Sequence, residues 1–335
     1  MKIADRISRI QPSITLEMTA KAAELRQAGI DVVNLSVGEP DFDTPINIKE
    51  AAYSAIEKGM TKYTAGSGIP ELKEAIINKL KRDNNLDYNL DNIIVSCGGK
   101  HTLYNACQVL FQKGDEVIIF SPYWVSFPDF VAVTGAKPVI VPTIPEKQYE
   151  PDFSFLEKAI NSNTKGIIIN SPSNPTGGVW GDEAIKKTLN IAKKNNLWVF
   201  SDECYEQLTY DTKFKSIQEY DLSNDRILTF QSCSKTYSMT GWRIGYTAGH
   251  PEIIKAMSKI QSQSTSCPNS IAQYAAVEAL SGNQDEVFKM KAVFQKRRDF
   301  IVAELNQIEG VSCETPGGAF YVFPSLEGLI KSNKI

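Results

Sequence analysis

Four polar segments, each following a short apolar run, hold residue types that could do chemistry. Ser232-Cys233-Ser234-Lys235 sets a lysine among small hydroxyl residues at the end of one such run. A lysine drawn out of water there has a depressed pKa and becomes a nucleophilic amine able to form a Schiff base; left in water it is an ordinary surface lysine. Arg243 follows and suits a bidentate contact with phosphate. In Asp202-Glu203-Cys204-Tyr205 a carboxylate ends a buried stretch and needs a partner, because an unpaired buried charge is expensive. The partner is a core arginine or a ligand cation such as a protonated ring nitrogen, and Tyr205 could aim its phenol at the same ligand. Ser171-Pro172-Ser173-Asn174-Pro175-Thr176-Gly177-Gly178 is either a plain turn or a loop that presents the Asn174 amide. Cys97-Gly98-Gly99-Lys100-His101 could cradle a phosphate with bare backbone N–H groups at a helix start, or could use its glycines only for a tight turn. Together the four fit one ligand with a cationic planar ring, a phenolate oxygen, an aldehyde and a phosphate. That ligand is pyridoxal 5′-phosphate, PLP.

The elements that must position these segments read as alternating strands and helices. Apolar strands are expected at 93–96, 116–120, 138–141, 166–170, 198–201, 227–231 and 243–248, with helices at 102–111, 182–195 and 253–258. Nearly continuous apolar strands alternating with helices predict an α/β fold with a mainly parallel, seven-stranded sheet between helices. Such sheets bind ligands beyond the carboxyl ends of their strands, where the four segments lie. At the ends of the chain, 14–28 reads as an amphipathic helix, 34–45 as a Gly/Pro-rich loop, 285–305 as a long helix and 319–323 as a short strand. The expected division is a large domain over 46–280 and a smaller α+β domain built from 1–45 and 281–335.

The composition narrows the classes. The 335 residues carry 36 Lys+Arg and 39 Asp+Glu, a net charge of −3, without the basic excess of a nucleic-acid binder. At 42% hydrophobic and 22% charged residues the chain can bury a core of its own. No apolar run has the length of a membrane span, and the first residues lack the apolar centre of a signal peptide. Six scattered cysteines with no C-x-x-C pair argue for a reducing compartment, and two distant histidines leave little room for a zinc site. A cytoplasmic protein is the expectation.

The order Gly99-Lys100, Tyr123-Trp124, Asn174-Pro175-Thr176-Gly177, Asp202-Glu203-x-Tyr205, Ser232-x-Ser234-Lys235 and Gly241-Trp242-Arg243-Ile244-Gly245 resembles the class I/II aminotransferases of PLP fold type I. The segments Val37-Gly38-Glu39-Pro40-Asp41-Phe42-Asp43-Thr44-Pro45, Lys62-Tyr63-Thr64 and Ser262-Gln263-Ser264-Thr265 are similar to the bacterial aspartate branch, some members of which also use prephenate. The resemblance implies that Lys235 holds the cofactor as a Schiff base and moves the proton, and that Asp202 pairs with the ring nitrogen. It implies that Tyr205 and Asn174 bond the phenolate oxygen and that Trp124 stacks on the ring. Gly99, Lys100, Ser232 and Arg243 would hold the phosphate, joined by Tyr63 from the neighbouring subunit of a homodimer. Gly38, Asn174 and Trp124 would meet the substrate, with Ser13, Thr15 and Lys100 handling an acidic side chain.

The implied reaction moves an amino group between an L-amino acid, aspartate or glutamate first, and a 2-oxo acid by a ping-pong Schiff-base mechanism. No arginine follows Arg298, whereas the family continues to one that clamps the substrate α-carboxylate. The resemblance therefore implies a C-terminally truncated member. A PLP-binding but inactive product is one alternative, and a C–S β-lyase of the same fold is another.

Overall fold

The computed structural model describes residues 3–12, 14–35 and 38–332. Ser13, expected to help handle an acidic side chain, and Val37 of the resembling motif lie outside the described residues. The centre is a mixed sheet of strands β1 (Ile93–Ser96), β2 (Glu116–Ser121), β3 (Lys137–Ile144), β4 (Glu150–Pro151), β5 (Thr164–Asn170), β6 (Trp198–Asp202), β7 (Ile227–Ser232) and β8 (Gly245–Ala248). Their order across the sheet is β1-β8-β7-β6-β5-β2-β3-β4. From β7 through β6, β5 and β2 to β3 every pairing is parallel; β8 runs antiparallel to both β1 and β7, and β4 antiparallel to β3.

Strand alternation builds two helix layers. Successive side chains point to opposite faces of a sheet. Ile94, Ile119, Ile168, Phe200 and Phe230 thus enter one core with Leu103 and Met257 of the helices Gly99–Leu110 and Pro251–Ser264. Their neighbours Ile118, Ile167, Ile169 and Val199 enter a core on the other face with Ile185 and Leu189 of the helix Asp182–Lys194. Ile93 and Val95 pack with Leu72, Ile76 and Leu80 of the helix Pro70–Asn84 and with the alanines of Ser270–Ser281. A smaller cluster brings the chain ends together: Tyr205, Leu208, Met290, Phe294 and Ala319 pack with Phe42, Phe320 and Tyr321. Arg297 of the helix Asp285–Leu305 adds a two-pronged pair with Asp41 at 2.7 and 2.9 Å.

The α/β class and the mainly parallel sheet stand as expected, with three departures. The sheet has eight strands, because two residues of β4 pair with Thr143 and Ile144 and are too short to show a pattern. The last strand starts at Gly245 and not at 243, since Arg243 has a left-handed backbone (φ 59°) that no strand residue adopts. Segment 319–323 is no strand either: Ala319 is also left-handed (φ 56°), and its amide donates to the Leu208 carbonyl at 2.7 Å.

Phe200, two residues before the end of β6, is fully buried, with its ring 5.2 Å from Phe111 and 5.0 Å from Phe230. Phe200→Ala is expected to lower unfolding free energy by about 3–5 kcal/mol. Urea unfolding followed by circular dichroism measures it, and an unshifted midpoint would show that this stack does not hold the sheet.

Candidate active site

The sheet register gathers the four polar segments along one edge of the strands. Asn170 ends β5 directly opposite Asp202, which ends β6. Across β8, Ser96 at the end of β1 and Ser232 at the end of β7 face the same residue, Gly245. The segments after β1, β5, β6 and β7 therefore emerge side by side, and Trp124 follows β2 on the same side.

Asp202 is 7% exposed. One hydrogen bond reaches its carboxylate, from the Cys204 amide at 3.2 Å. Among the described residues the arginines in ion pairs are Arg82, Arg297 and Arg298, so no core arginine serves as its partner. Burial pushes its pKa up to about 7, against the slight opposing effect of that amide. A buried carboxylate held by a single amide fits a ligand carrying a proton on a ring nitrogen, since that cation would supply the missing counter-charge.

Lys235 lies in the one-turn helix Cys233–Thr236, which Ser232 caps by accepting from the Ser234 amide at 3.1 Å. Its ammonium donates to the Gly38 carbonyl and stands 6.0 Å from the centre of the Phe320 ring. Burial lowers its pKa first and the Arg243 charge lowers it further, while Cys204 and Glu39 act in the opposite sense. Depressing a lysine in this way raises the share of free amine available as nucleophile or base.

The helix Gly99–Leu110 begins without a side-chain cap, so the amides of Gly99 and Lys100 sit in a first turn that has no preceding helical carbonyl. Two glycines make room around them. A Cβ on Gly98 (φ 93°) would stand 2.2 Å from Nη2 of Arg243, and a Cβ on Gly245 would stand 2.3 Å from the Gly99 nitrogen. The Arg243 guanidinium is held against this turn by the Thr240 carbonyl (2.8 Å) and, at 3.4 Å, the Cys97 carbonyl. Ser232 Oγ is bonded to Ser234 Oγ at 2.8 Å on the facing strand end. Amides, hydroxyls and a guanidinium with no carboxylate partner among the described residues are the donor set of an anion site.

Asn174 donates through Nδ2 to the Tyr321 hydroxyl at 3.3 Å, and Tyr205 shares a 2.6 Å hydrogen bond with the same hydroxyl. Burial, aided by Tyr321, keeps the Tyr205 phenol protonated. Trp124 is half-buried against Phe127 and Phe130 and carries the Lys100 ammonium over its ring at 5.0 Å. Among the expected site residues, Tyr63 stands apart: it is 91% exposed. Thr15, on the helix Ile14–Gln27, offers its carbonyl to Thr19.

Sequence reasoning missed three contributors. Tyr321 joins Tyr205 to Asn174, and a Cβ on Gly38 would lie 2.1 Å from its hydroxyl. Asn170 accepts from the Asn174 amide at 2.7 Å and donates to the Asp202 carbonyl at 3.1 Å, tying two of the segments together. Ser234 extends the hydroxyl pair. A polar residue closing an otherwise apolar strand was the available signal for Asn170; nothing local in sequence pointed Tyr321 toward residues more than a hundred positions away.

A family model described as aminotransferase class I and II matches residues 30–334, and the chain belongs to that family. It is 50% identical to a probable aspartate/prephenate aminotransferase of Rhizobium leguminosarum bv. phaseoli, over 98% of this chain and 83% of the relative. The fold matches the aspartate aminotransferase of Rhizobium meliloti with a TM-score of 0.94 at 43% identity, covering 98% of this chain and 83% of that one. It matches a Thermus thermophilus aspartate aminotransferase solved with maleate at 0.93 and 41% identity, covering 97% and 85%. The chain is thus an enzyme of the aminotransferase type. The expected truncation is not borne out: the chain matches these relatives over 83 to 85% of their length.

For a carboxyl group whose folded pKa is raised, the folded state binds more protons than the unfolded one between the two pKa values. Stability contributed by Asp202 therefore falls as pH rises from about 4 toward about 7 and stays low above that. Asp202→Asn keeps the shape and removes the penalty. The cofactor-free variant should match the parent near pH 4 and exceed it above pH 7, by at most roughly 4 kcal/mol. Paired melting curves across that range check this, and because Glu203 is unchanged in both proteins its own titration cancels. An equal difference at every pH would show that Asp202 is not the group responsible.

Proposed function

We propose that this aminotransferase binds PLP at the edge formed by β1, β5, β6 and β7 and transfers the amino group of an acidic L-amino acid, aspartate or glutamate, to a 2-oxo acid. The observation that carries the reading is the buried Asp202 carboxylate without a cation, standing beside a depressed lysine and facing an anion site. The relatives named for aspartate and the neighbour solved with maleate, a dicarboxylate, support the acidic substrate.

Bound PLP supplies an electron sink for the charge left at the substrate Cα when its proton is removed. The residues account for the rest. Asp202 would hold a proton on the ring nitrogen, since a buried carboxylate stays ionised most easily beside a cation. Gly99 and Lys100 amides, Ser232, Ser234 and Arg243 would anchor the phosphate, and Trp124 would cover the ring. Tyr205 and Asn174 would turn their donors from Tyr321 to the ring oxygen. Lys235 Nζ would serve first as the attachment point and then, freed as a neutral amine, would carry the proton to and from Cα. Gly38, whose carbonyl already meets Lys235, would lie with Asn174 and Trp124 along the substrate.

A homodimer and a two-part chain belong to the same reading. The helix Ile46–Glu57 buries Ile48, Ala52 and Ala55 and leaves Ile46, Tyr53 and Ile56 on its other side exposed, with Met60 and Tyr63 beyond. An apolar face of that kind supports contact with a second copy, which would bring Tyr63 to the partner's phosphate site. The joining of Phe42 to Phe294 and Phe320 supports a smaller unit made of 1–45 and 281–335 beside a larger one over 46–280.

The purified protein mixed with PLP should develop a visible absorption band that L-aspartate bleaches and a 2-oxo acid restores. Lys235→Ala should lose both the band and turnover, while Asp202→Ala should weaken PLP binding and reduce turnover by several orders of magnitude. A band surviving in Lys235→Ala would refute the assignment of the lysine. A band indifferent to aspartate and glutamate would refute the substrate. Light scattering should give twice the 37.2 kDa chain mass, and a monomer would refute the dimer.

A further inference from the structure

Behind the proposed cofactor site lies a second polar cluster that none of the roles above uses. Lys79, in the helix Pro70–Asn84, is 1% exposed, and its ammonium meets three acceptors: Glu206, Asn84 Oδ1 at 2.8 Å and Gln231 Oε1 at 2.9 Å. The other oxygen of Glu206 accepts from Asn84 Nδ2 at 2.7 Å and Gln231 Nε2 at 2.8 Å. Gln231 Oε1 also accepts the Tyr246 hydroxyl at 2.6 Å. Every proton of the ammonium has an acceptor, and both carboxylate oxygens are engaged. A buried ion pair is retained at low cost only when its hydrogen bonds are completed in this way.

Three members of this cluster stand one position from residues of the proposed cofactor site. Glu206 follows Tyr205, Gln231 precedes Ser232, and Tyr246 follows Gly245, whose lack of a side chain admits the Gly98-Gly99 turn. Glu203, next to Asp202, is within 3.4 Å of the Gln231 amide. Gln231–Ser232 and Gly245–Tyr246 lie in strands, where adjacent residues point to opposite sides and one held from behind fixes the direction of the other, while Glu206 holds the turn that follows β6 and carries Tyr205. A small cavity bounded by Lys79, Glu206, Gln231 and Tyr246 also touches Ser232 and Cys204, so cluster and site share a wall.

We propose that Lys79, acting through Glu206 and Gln231, is a positioning residue that clamps the turn after β6, the end of β7 and the start of β8 from behind and so presets Tyr205, Ser232 and Gly245 for PLP. One charge from a helix otherwise remote from the reaction thereby orders the contacts of three segments. The inference rests on the PLP reading and deepens it.

The test is Lys79→Gln combined with Glu206→Gln, which removes both charges together and keeps hydrogen-bonding groups in place. Apoprotein of the parent and the variant is titrated with PLP by absorbance, the visible circular dichroism of the bound PLP is recorded, and both are melted without PLP. A melting point close to the parent's, a PLP Kd raised about tenfold or more, and weakened dichroism support the proposal. A variant that folds with Kd within about twofold of the parent and unchanged dichroism overturns it. If the double variant does not fold, Tyr246→Phe decides, because it deletes one hydroxyl from the rim of the cluster. A Kd raised a few-fold with altered dichroism supports the clamp, and an unchanged Kd overturns it. If the parent takes up no PLP, the proposed cofactor is what fails and the clamp falls with it; if the parent binds and the variants bind equally well, the clamp alone fails.

Discussion

Burial of the Asp202 carboxylate is the constraint on which the site depends. The end of β6 lies between β5 and β7, both paired parallel to it, and this leaves the carboxylate little access to water. With one amide as donor, the charged form is disfavoured, and the group's affinity for a proton rises into the neutral range. Folding carries this cost because the sheet positions a carboxylate that no cation among the described residues completes. The same register that buries Asp202 sets the anion donors of Gly99, Lys100, Ser232 and Arg243 beyond the neighbouring strand ends. A ligand satisfying both would be cationic at one end and anionic at the other. That demand is stronger evidence for PLP than either half alone.

Much of this was legible in the chain. Continuous apolar runs marked the strands because parallel strands bury both faces, and the residue closing each run then fell at a carboxyl end. Lys235, Asp202, Asn174 and the Gly98-Gly99 turn could be picked out by that rule. The charge of Arg243 is visible in the sequence but its left-handed backbone is not, so the apolar pattern places the start of the last strand two residues early. The 319–323 segment has a strand-like composition, yet it folds as an irregular stretch because the Ala319 amide is claimed by Leu208 across the cluster that joins the chain ends. Local pattern carries no information about a hydrogen bond to a residue so distant. Tyr321 was missed for the same reason.

The anion site shows how little side-chain chemistry a close approach needs. Gly98, Gly99 and Gly245 matter through what they lack: their missing side chains let the helix start, the last strand and a guanidinium share one small volume. In the proposed reading only the backbone of Gly99 and Lys100 would face the ligand, and the Lys100 side chain lies over Trp124. A lysine next to a phosphate site would ordinarily be read as a phosphate ligand. Its place on the ring would instead put a positive charge at the boundary between the proposed cofactor face and substrate space, which would suit a substrate bearing a second carboxylate.

Three acids within five residues illustrate how burial is resolved differently according to purpose. Glu203 is fully buried, and its pKa is also pushed up to about 7, first by burial and then by Glu206. It nevertheless already has four donors, the Ser201 and Ser216 hydroxyls and the Ile217 amide on Oε1 at 2.7, 2.8 and 3.0 Å and the Gln231 amide on Oε2 at 3.4 Å. Glu206 is paired with a lysine and two amides. Asp202 alone of the three is left open. The contrast matters because burial and a raised pKa, taken by themselves, would nominate Asp202 and Glu203 equally. What separates them is the count of donors already in place: the satisfied acids hold the architecture, and the unsatisfied one is the acid that the proposed chemistry would use.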